Sequence, residues 1–296
     1  MALYLGRDWT VEHDKKAPVA QTTLRYADVG NPLGEPIICI HGTNIADSLI
    51  TPLKFYPRLF EEFRLISYYR AGYNGSTLEK DSVSIEEGAG HAVQLLDHLN
   101  IDKAHFLSFS FGGVLGFQAM LSYPERVHTS ALLEAYLPRE SQAAIDANIA
   151  AFMKAMEMYQ AGKKVEGAIS YMEDVCGPRF LSAVDMTGPL DVWDRVAESV
   201  DTTFTVDFPA ISNWAFAPSK ADELVDVKPS MPVLAVMGMD SEAAMPGFRE
   251  TQRWLMNWLP QAERAAIPYA THGMQSMNPA AVGEAVYTFF KKYPMS

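Results

Sequence analysis

Residues 105–117 read HFLSFSFGGVLGF, with two serines two positions apart among bulky aromatics, followed by an abrupt run of glycine. The apolar run AHFLSF reads as a buried strand and FGGVLGFQAMLS as a helix, so the serines fall at a strand-to-helix turn. A serine hydroxyl is a weak nucleophile until a base takes its proton, and it must protrude where base and substrate reach it. A sharp strand-to-helix turn presents it, and the strain of that turn demands small side chains two positions before and two after. With Ser110 central those positions hold Ser108 and Gly112, both small; with Ser108 central, one holds Phe106, which fits badly. Ser110 is the candidate nucleophile, and Ser108 stands where the usual G-x-S-x-G pattern has its first glycine.

Working outward, EPIICIHG (35–42), FRLISYY (63–69) and RVHTSALLE (126–134) read as strands. SIEEGAGHAVQLLDHLN (84–100) reads as a helix opened by a capping box from Ser84 to Glu87, with Ala89, Ala92, Val93 and Leu96 at helical spacing. This rhythm predicts βαβ units around a mostly parallel sheet. From 138 to 228 the strand pattern stops and the chain becomes helical and rich in methionine and aromatics. It resumes at KPSMPVLAVMGMDSEA, followed by a helix at RETQRWLMNWL, a strand at RAAIPYA and a last helix capped by Asn278 with Pro279 in its first turn. The expected division is an α/β core over 1–137 and 229–296, with a helical cap over 138–228 inserted after the sixth core strand.

Bulk properties narrow the function. The 296 residues are 48% apolar, enough for one large core. The net charge of −12, without any basic run, argues against a nucleic-acid partner. Apolar runs such as PIICI and PVLAVM stop far short of the roughly 20 residues a membrane helix needs, and the first residues lack the pattern of a cleavable leader. A soluble, cytoplasmic protein with no membrane partner is expected; the oligomeric state, a homo-oligomer included, stays open. Cys39 and Cys176 show no partner pattern and read as buried reduced thiols, and the seven histidines form no close ligand pair, so no metal is expected.

HG at His41-Gly42, YYRAGYNGST, LLDHLNIDKAHFLSFSFGG and AMLSYPERV resemble consecutive landmarks of the α/β-hydrolase superfamily, over about 22–137 and again over 229–292. The insertion sits where that family carries its cap. The resemblance implies a catalytic histidine on the loop after the last strand, which here is His272 in YATHGMQ. Many members place the acid in a G-x-x-Asp pattern after the strand that follows the cap. Here Gly238-Met239-Asp240-Ser241 puts serine at that place, with Asp240 one residue early and Glu242 one late. A second family position follows the strand after the nucleophile helix, and there the chain has Glu134. A helix of about 12 residues descending roughly 18 Å and a strand of about six climbing roughly 20 Å return Glu134 to the sheet edge of Ser110. A glutamate closing the apolar run ALLE is also costly to bury unpaired. Glu134 is the preferred acid and Asp240 the alternative. The family's oxyanion donors would be the amides of Phe111 and of Thr43, or its neighbour Asn44.

The resemblance implies a serine hydrolase that needs no cofactor and takes an apolar ester or lactone as its small-molecule partner. Phe152, Met153, Met156, Trp193 and Trp214 are the expected substrate-binding residues, because methionines and aromatics accommodate irregular apolar ligands. A glutamate acid at this place is shared with the zearalenone-lactone hydrolases. Haloalkane dehalogenases and epoxide hydrolases use an aspartate nucleophile, against which Ser110 argues. Carbon–carbon bond hydrolases, haloperoxidases and acyltransferases keep the serine triad and stay open, as does a ligand-binding protein on a hydrolase scaffold.

Overall fold

Alternation along each strand sets the architecture. In the computed structural model, which describes residues 9–216 and 228–295, the first half runs β1 (Lys15–Val19), β2 (Thr22–Gly30), β3 (Glu35–Ile40), α1 (Arg58–Glu62), β4 (Phe63–Tyr68), α2 (Ile85–His98), β5 (Ala104–Phe109), α3 (Ser110–Ser122) and β6 (Val127–Leu133). Then come the helices α4 (Gln142–Gln160), α5 (Lys164–Cys176), α6 (Phe180–Thr187), α7 (Val192–Thr202), a π-helical stretch (Thr203–Asp207) and α8 (Phe208–Asn213). The chain returns to the sheet with β7 (Val233–Gly238), α9 (Ser241–Ala244), α10 (Phe248–Trp258), β8 (Glu263–Ile267), α11 (Met274–Met277) and α12 (Pro279–Lys292). Residues 217–227, part of the expected helical insertion, and 1–8, at the start of the expected core, lie outside the described residues.

The eight strands form one sheet in the order β1-β2-β4-β3-β5-β6-β7-β8. Strand β2 is antiparallel to both neighbours and the remaining pairs are parallel, which is the mostly parallel sheet expected. Ile38, Ile40, Phe106, Leu132 and Val233 face one layer, with α2, α3 and α10. The intervening Ile37, Cys39, Leu107, Leu133 and Leu234 face the other, with α1 and α12. Because both faces are covered, the central strands are continuously apolar rather than alternating with polar residues. The Ser84–Glu87 capping box forms, and Asn278 caps α12 through Ala281 N–H.

Two strands escaped the sequence reading, β1 and β2; the sequence of β1, KKAPV, is mostly exposed, and it adds to the sheet only by pairing with β2.

Candidate active site

Three strand ends supply the site. Strand β5 stops at Phe109, and Ser110 turns the chain into α3 with a φ of +53°. That left-handed backbone costs about 1–3 kcal/mol in a non-glycine residue and persists where its surroundings enforce it. The enforcement is visible in the packing. A Cβ on Gly112 would lie 2.3 Å from the carbonyl oxygens of both Ile40 and His41, so α3 can start this close to β3 only with glycine there. A Cβ on Gly116 would likewise meet Ser108 Oγ at 2.2 Å, which is how a serine fits where the pattern has glycine. The carbonyl of Ser110 accepts the backbone N–H of Tyr136 at 3.0 Å, tying the turn to the end of β6.

The end of β6 repeats the device. Glu134 has a φ of +39°, and its carboxylate accepts Gly238 N–H at 2.9 Å through Oε1. Its Oε2 lies 2.8 Å from His272 Nδ1, and His272 Nε2 lies 2.8 Å from Ser110 Oγ. Neutral His272 in this line carries its proton on Nδ1, donates it to Glu134 and accepts from the serine hydroxyl. All three side chains are buried. The imidazole is held between two rings, stacked on Phe248 at 4.5 Å and tilted against Phe109 at 4.9 Å. Thus a hydroxyl, an imidazole and a carboxylate stand in series, an arrangement in which a base can take a serine proton and be steadied as a cation.

Asp240 is not brought to His272. Its carboxylate lies at the surface, half exposed, 3.3 Å from Arg179. Its backbone N–H bonds Ala270 O and so supports the histidine loop only through the main chain. Phe111 follows Ser110 in the first turn of α3, where amides have no intrahelical acceptor, and no side chain caps that helix. Thr43 and Asn44 both line the cavity at Ser110.

That cavity is about 30 Å³, room for one or two waters. Beyond Ser110, His272, Thr43 and Asn44, its wall includes Ile45, Phe109, Tyr136, Tyr171, Met172 and Phe180. The five cavity residues expected from the sequence lie elsewhere. Phe152 packs edge-on against Phe208, Met153 is exposed, Met156 belongs to the packing between the inserted helices, Trp193 bonds Asp185, and Trp214 bonds Gln118 and stacks on Phe216. The reason is that Ala151 and Ala155 of α4 pack with Gly167 and Ala168 of α5, and it is α5 rather than α4 that reaches the cavity. Tyr171, Met172, Val175 and Cys176 face the cavity from α5; their i, i+1, i+4, i+5 spacing was the available signal. Both cysteines are buried and unpaired, and burial, with the Glu134 carboxylate second, pushes the Cys176 thiol well above its ordinary range.

A larger surface cleft of about 400 Å³ lies over the β1–β2 turn and α2, with Leu78, Glu87 and His91 in its wall; it shares no residue with the Ser110 cavity. Among the described residues no helix is long and apolar enough to cross a membrane.

The family model described as "alpha/beta hydrolase fold" matches residues 35–161. Among curated relatives, the dihydrolipoyllysine-residue acetyltransferase component of the acetoin cleaving system of Pseudomonas putida is 30% identical over 119 residues, 40% of this chain and 32% of that protein. The chain thus spans about a third of that relative's length. Among solved structures, a Bacillus subtilis carboxylesterase superposes with a TM-score of 0.70 at 18% identity, covering 93% of this chain and 90% of that one. The enol-lactonase of Burkholderia xenovorans superposes at 0.63 and 20% identity, covering 93% and 99%. At such identities the two structures attest the fold, and with the sequence model matched over residues 35–161 they show that the chain has the α/β-hydrolase fold.

Proposed function

We propose that the protein is a serine hydrolase that cleaves a carboxylic ester or lactone of an apolar small molecule through an acyl-enzyme. The observation that carries this reading is the unbroken hydrogen-bonded series Glu134–His272–Ser110, buried and opening onto a mostly apolar cavity. In the scheme His272 Nε2 takes the Ser110 proton as Oγ attacks the substrate carbonyl, and the amides of Thr43 and Phe111 receive the charge on the carbonyl oxygen. The C–O bond to the alcohol breaks, the alcohol leaves with the proton from His272, and a water activated by the same imidazole hydrolyses the acyl-serine. Glu134 orients the ring and stabilises its cation. No cofactor enters these steps. The similarity to a carboxylesterase and an enol-lactonase supports ester or lactone chemistry, and the small cavity favours a short acyl group.

Intact mass after exposure to a small fluorophosphonate tests the reading. One adduct on the native chain and none on Ser110→Ala is the expected outcome, followed by turnover in an ester and lactone screen. A native chain that takes no adduct and turns over no ester would overturn it in favour of ligand binding on a hydrolase scaffold.

A further inference from the structure

The peptide joining Gly42 to Thr43 is clamped by its oxygen. The Gly42 carbonyl accepts His41 Nδ1–H at 2.7 Å and Arg70 Nη2–H at 3.0 Å. His41 Nε2 accepts the backbone N–H of Arg70 at 3.0 Å, which leaves the ring proton on Nδ1. Burial, and after it the charge of Arg70, holds His41 well below the ordinary histidine range, so the ring stays neutral. In a planar trans peptide the C=O and the following N–H point in opposite directions, and no cis bond occurs among the described residues. Fixing the Gly42 oxygen therefore fixes the aim of the Thr43 N–H, on a residue that lines the Ser110 cavity.

Arg70 is held in turn by the inserted helices. Its Nη1 and Nη2 donate to Asp207 Oδ1 and Oδ2 at 2.8 and 2.6 Å, and Tyr73 O–H donates to the same carboxylate at 2.6 Å. Arg70 and Asp207 are both buried. Burial opposes the guanidinium's charge, but Asp207 more than offsets this and raises Arg70 above its ordinary range. The guanidinium lies 4.5 Å from the ring centre of Phe111 and 4.6 Å from that of Tyr73. Asp207 closes the π-helical stretch, whose Thr203 is 3.3 Å from Thr43 Oγ1 and 3.1 Å from Tyr73 O–H. Wide helical turns of this kind occur mostly as local insertions, frequently at functional sites. Both proposed oxyanion donors thus belong to residues in contact with this one cluster.

We propose that Arg70 and Asp207 are positioning residues of the oxyanion hole: the carboxylate contributed by the inserted helices fixes the guanidinium that aims the Thr43 N–H. This rests on the serine-hydrolase reading and extends it, because it makes the seating of the insertion a condition for transition-state stabilisation. Removing one oxyanion donor outright costs about 10²–10³ in kcat, and a misaimed donor costs part of that.

The test compares p-nitrophenyl acetate turnover and phenylboronic acid affinity in the native chain, Asp207→Asn, the double variant Arg70→Met/Asp207→Leu, and Ser199→Ala. The boronate reports on the hole because it binds the serine as a tetrahedral adduct. Asp207→Asn is expected to lose about 10- to 100-fold in kcat, with KM within about threefold and boronate affinity falling in parallel. Replacing a buried ion pair by apolar residues often restores stability, so the double variant should regain the native melting temperature yet keep the low kcat. Ser199→Ala breaks the same seam at Asn74, away from Gly42; it should lower the melting temperature and leave kcat alone. A folded Asp207→Asn with native kcat and boronate affinity overturns the proposal, as does a double variant that recovers both stability and kcat. Should neither fold, Tyr73→Phe, which removes one bond to Asp207, decides by the same kcat and boronate readouts. A native chain inert to the ester, and indistinguishable from Ser110→Ala, would instead count against the hydrolase reading.

Discussion

The floor and the roof of the Ser110 cavity are built by different means. The floor consists of strand ends held in left-handed backbone and joined by short hydrogen bonds: Ser110, Glu134 and the loop bearing His272. The roof is the face of α5 and the start of α6, where Tyr171, Met172, Val175 and Phe180 meet the cavity on regular helix with mostly apolar contacts. A hydrogen-bonded line has one geometry that works, whereas an apolar wall tolerates substitution as long as volume is kept. On the proposed function, the floor sets whether the reaction runs and the roof sets what shape of acyl group it runs on.

Breaking the floor should have the largest effect. Glu134→Gln keeps the shape of the side chain but removes the charge that orients His272, and kcat should fall by about 10³–10⁴. Asp240→Asn alters a surface ion pair with Arg179 and should stay within about twofold. Steady-state kinetics on one ester decides between them, and the reverse order would move the acid to Asp240.

Acid offers a second way to separate the two regions, because none of the seven histidines lies within residues 138–228. Burial drives His13 and His105 down to about 3 and His41 well below its ordinary range. The 3.4 Å contact of His105 with Glu35 is thus a hydrogen bond of a neutral ring rather than an ion pair. These three rings take up protons readily only in the unfolded chain. Their contribution to stability is fully present above pH 6.5 and is lost as pH falls below that toward their lowered folded values, about 3 for His13 and His105. Asp47, raised by burial to about 6, acts in the opposite sense between pH 4 and 6. His91, also lowered by burial, acts in the same sense as the three rings, so the net expectation is a loss of stability as pH falls from 6 to 4. Urea midpoints across that range check it; a flat profile would mean the rings are protonated in the fold.

The smallest effect belongs to the roof. Met172→Ala opens the cavity wall and should shift preference toward longer acyl chains by about tenfold in kcat/KM. Phe152→Ala, off the cavity against Phe208, should lower stability without changing the chain-length profile. A profile moved by Phe152 and not by Met172 would reverse the assignment of the wall.

The same contrast explains what was readable in the sequence. Strand cores and the turn at Ser110 are dictated locally, by short continuous apolar runs and by a pair of small side chains, so a few residues are enough to locate them. Glu134 was legible because an acid at the end of an apolar strand needs a partner. The roof was not, since methionines and aromatics serve equally to pack helices together. Which face of α5 meets the cavity depends on how Ala151 and Ala155 of α4 pack with it, a contact between segments that no local pattern reports. The Arg70–Asp207 pair escaped for a related reason: its members are 137 residues apart in sequence.

The two buried thiols have a practical consequence. Cys39 and Cys176 are the chain's whole complement of cysteine, and burial keeps both far from the thiolate form that reacts with alkylating reagents. A cysteine introduced at exposed Met153 on α4 would therefore be labelled against a silent background, and a fluorophore there would show whether α4, the helix packed on the roof helix α5, responds when substrate is added.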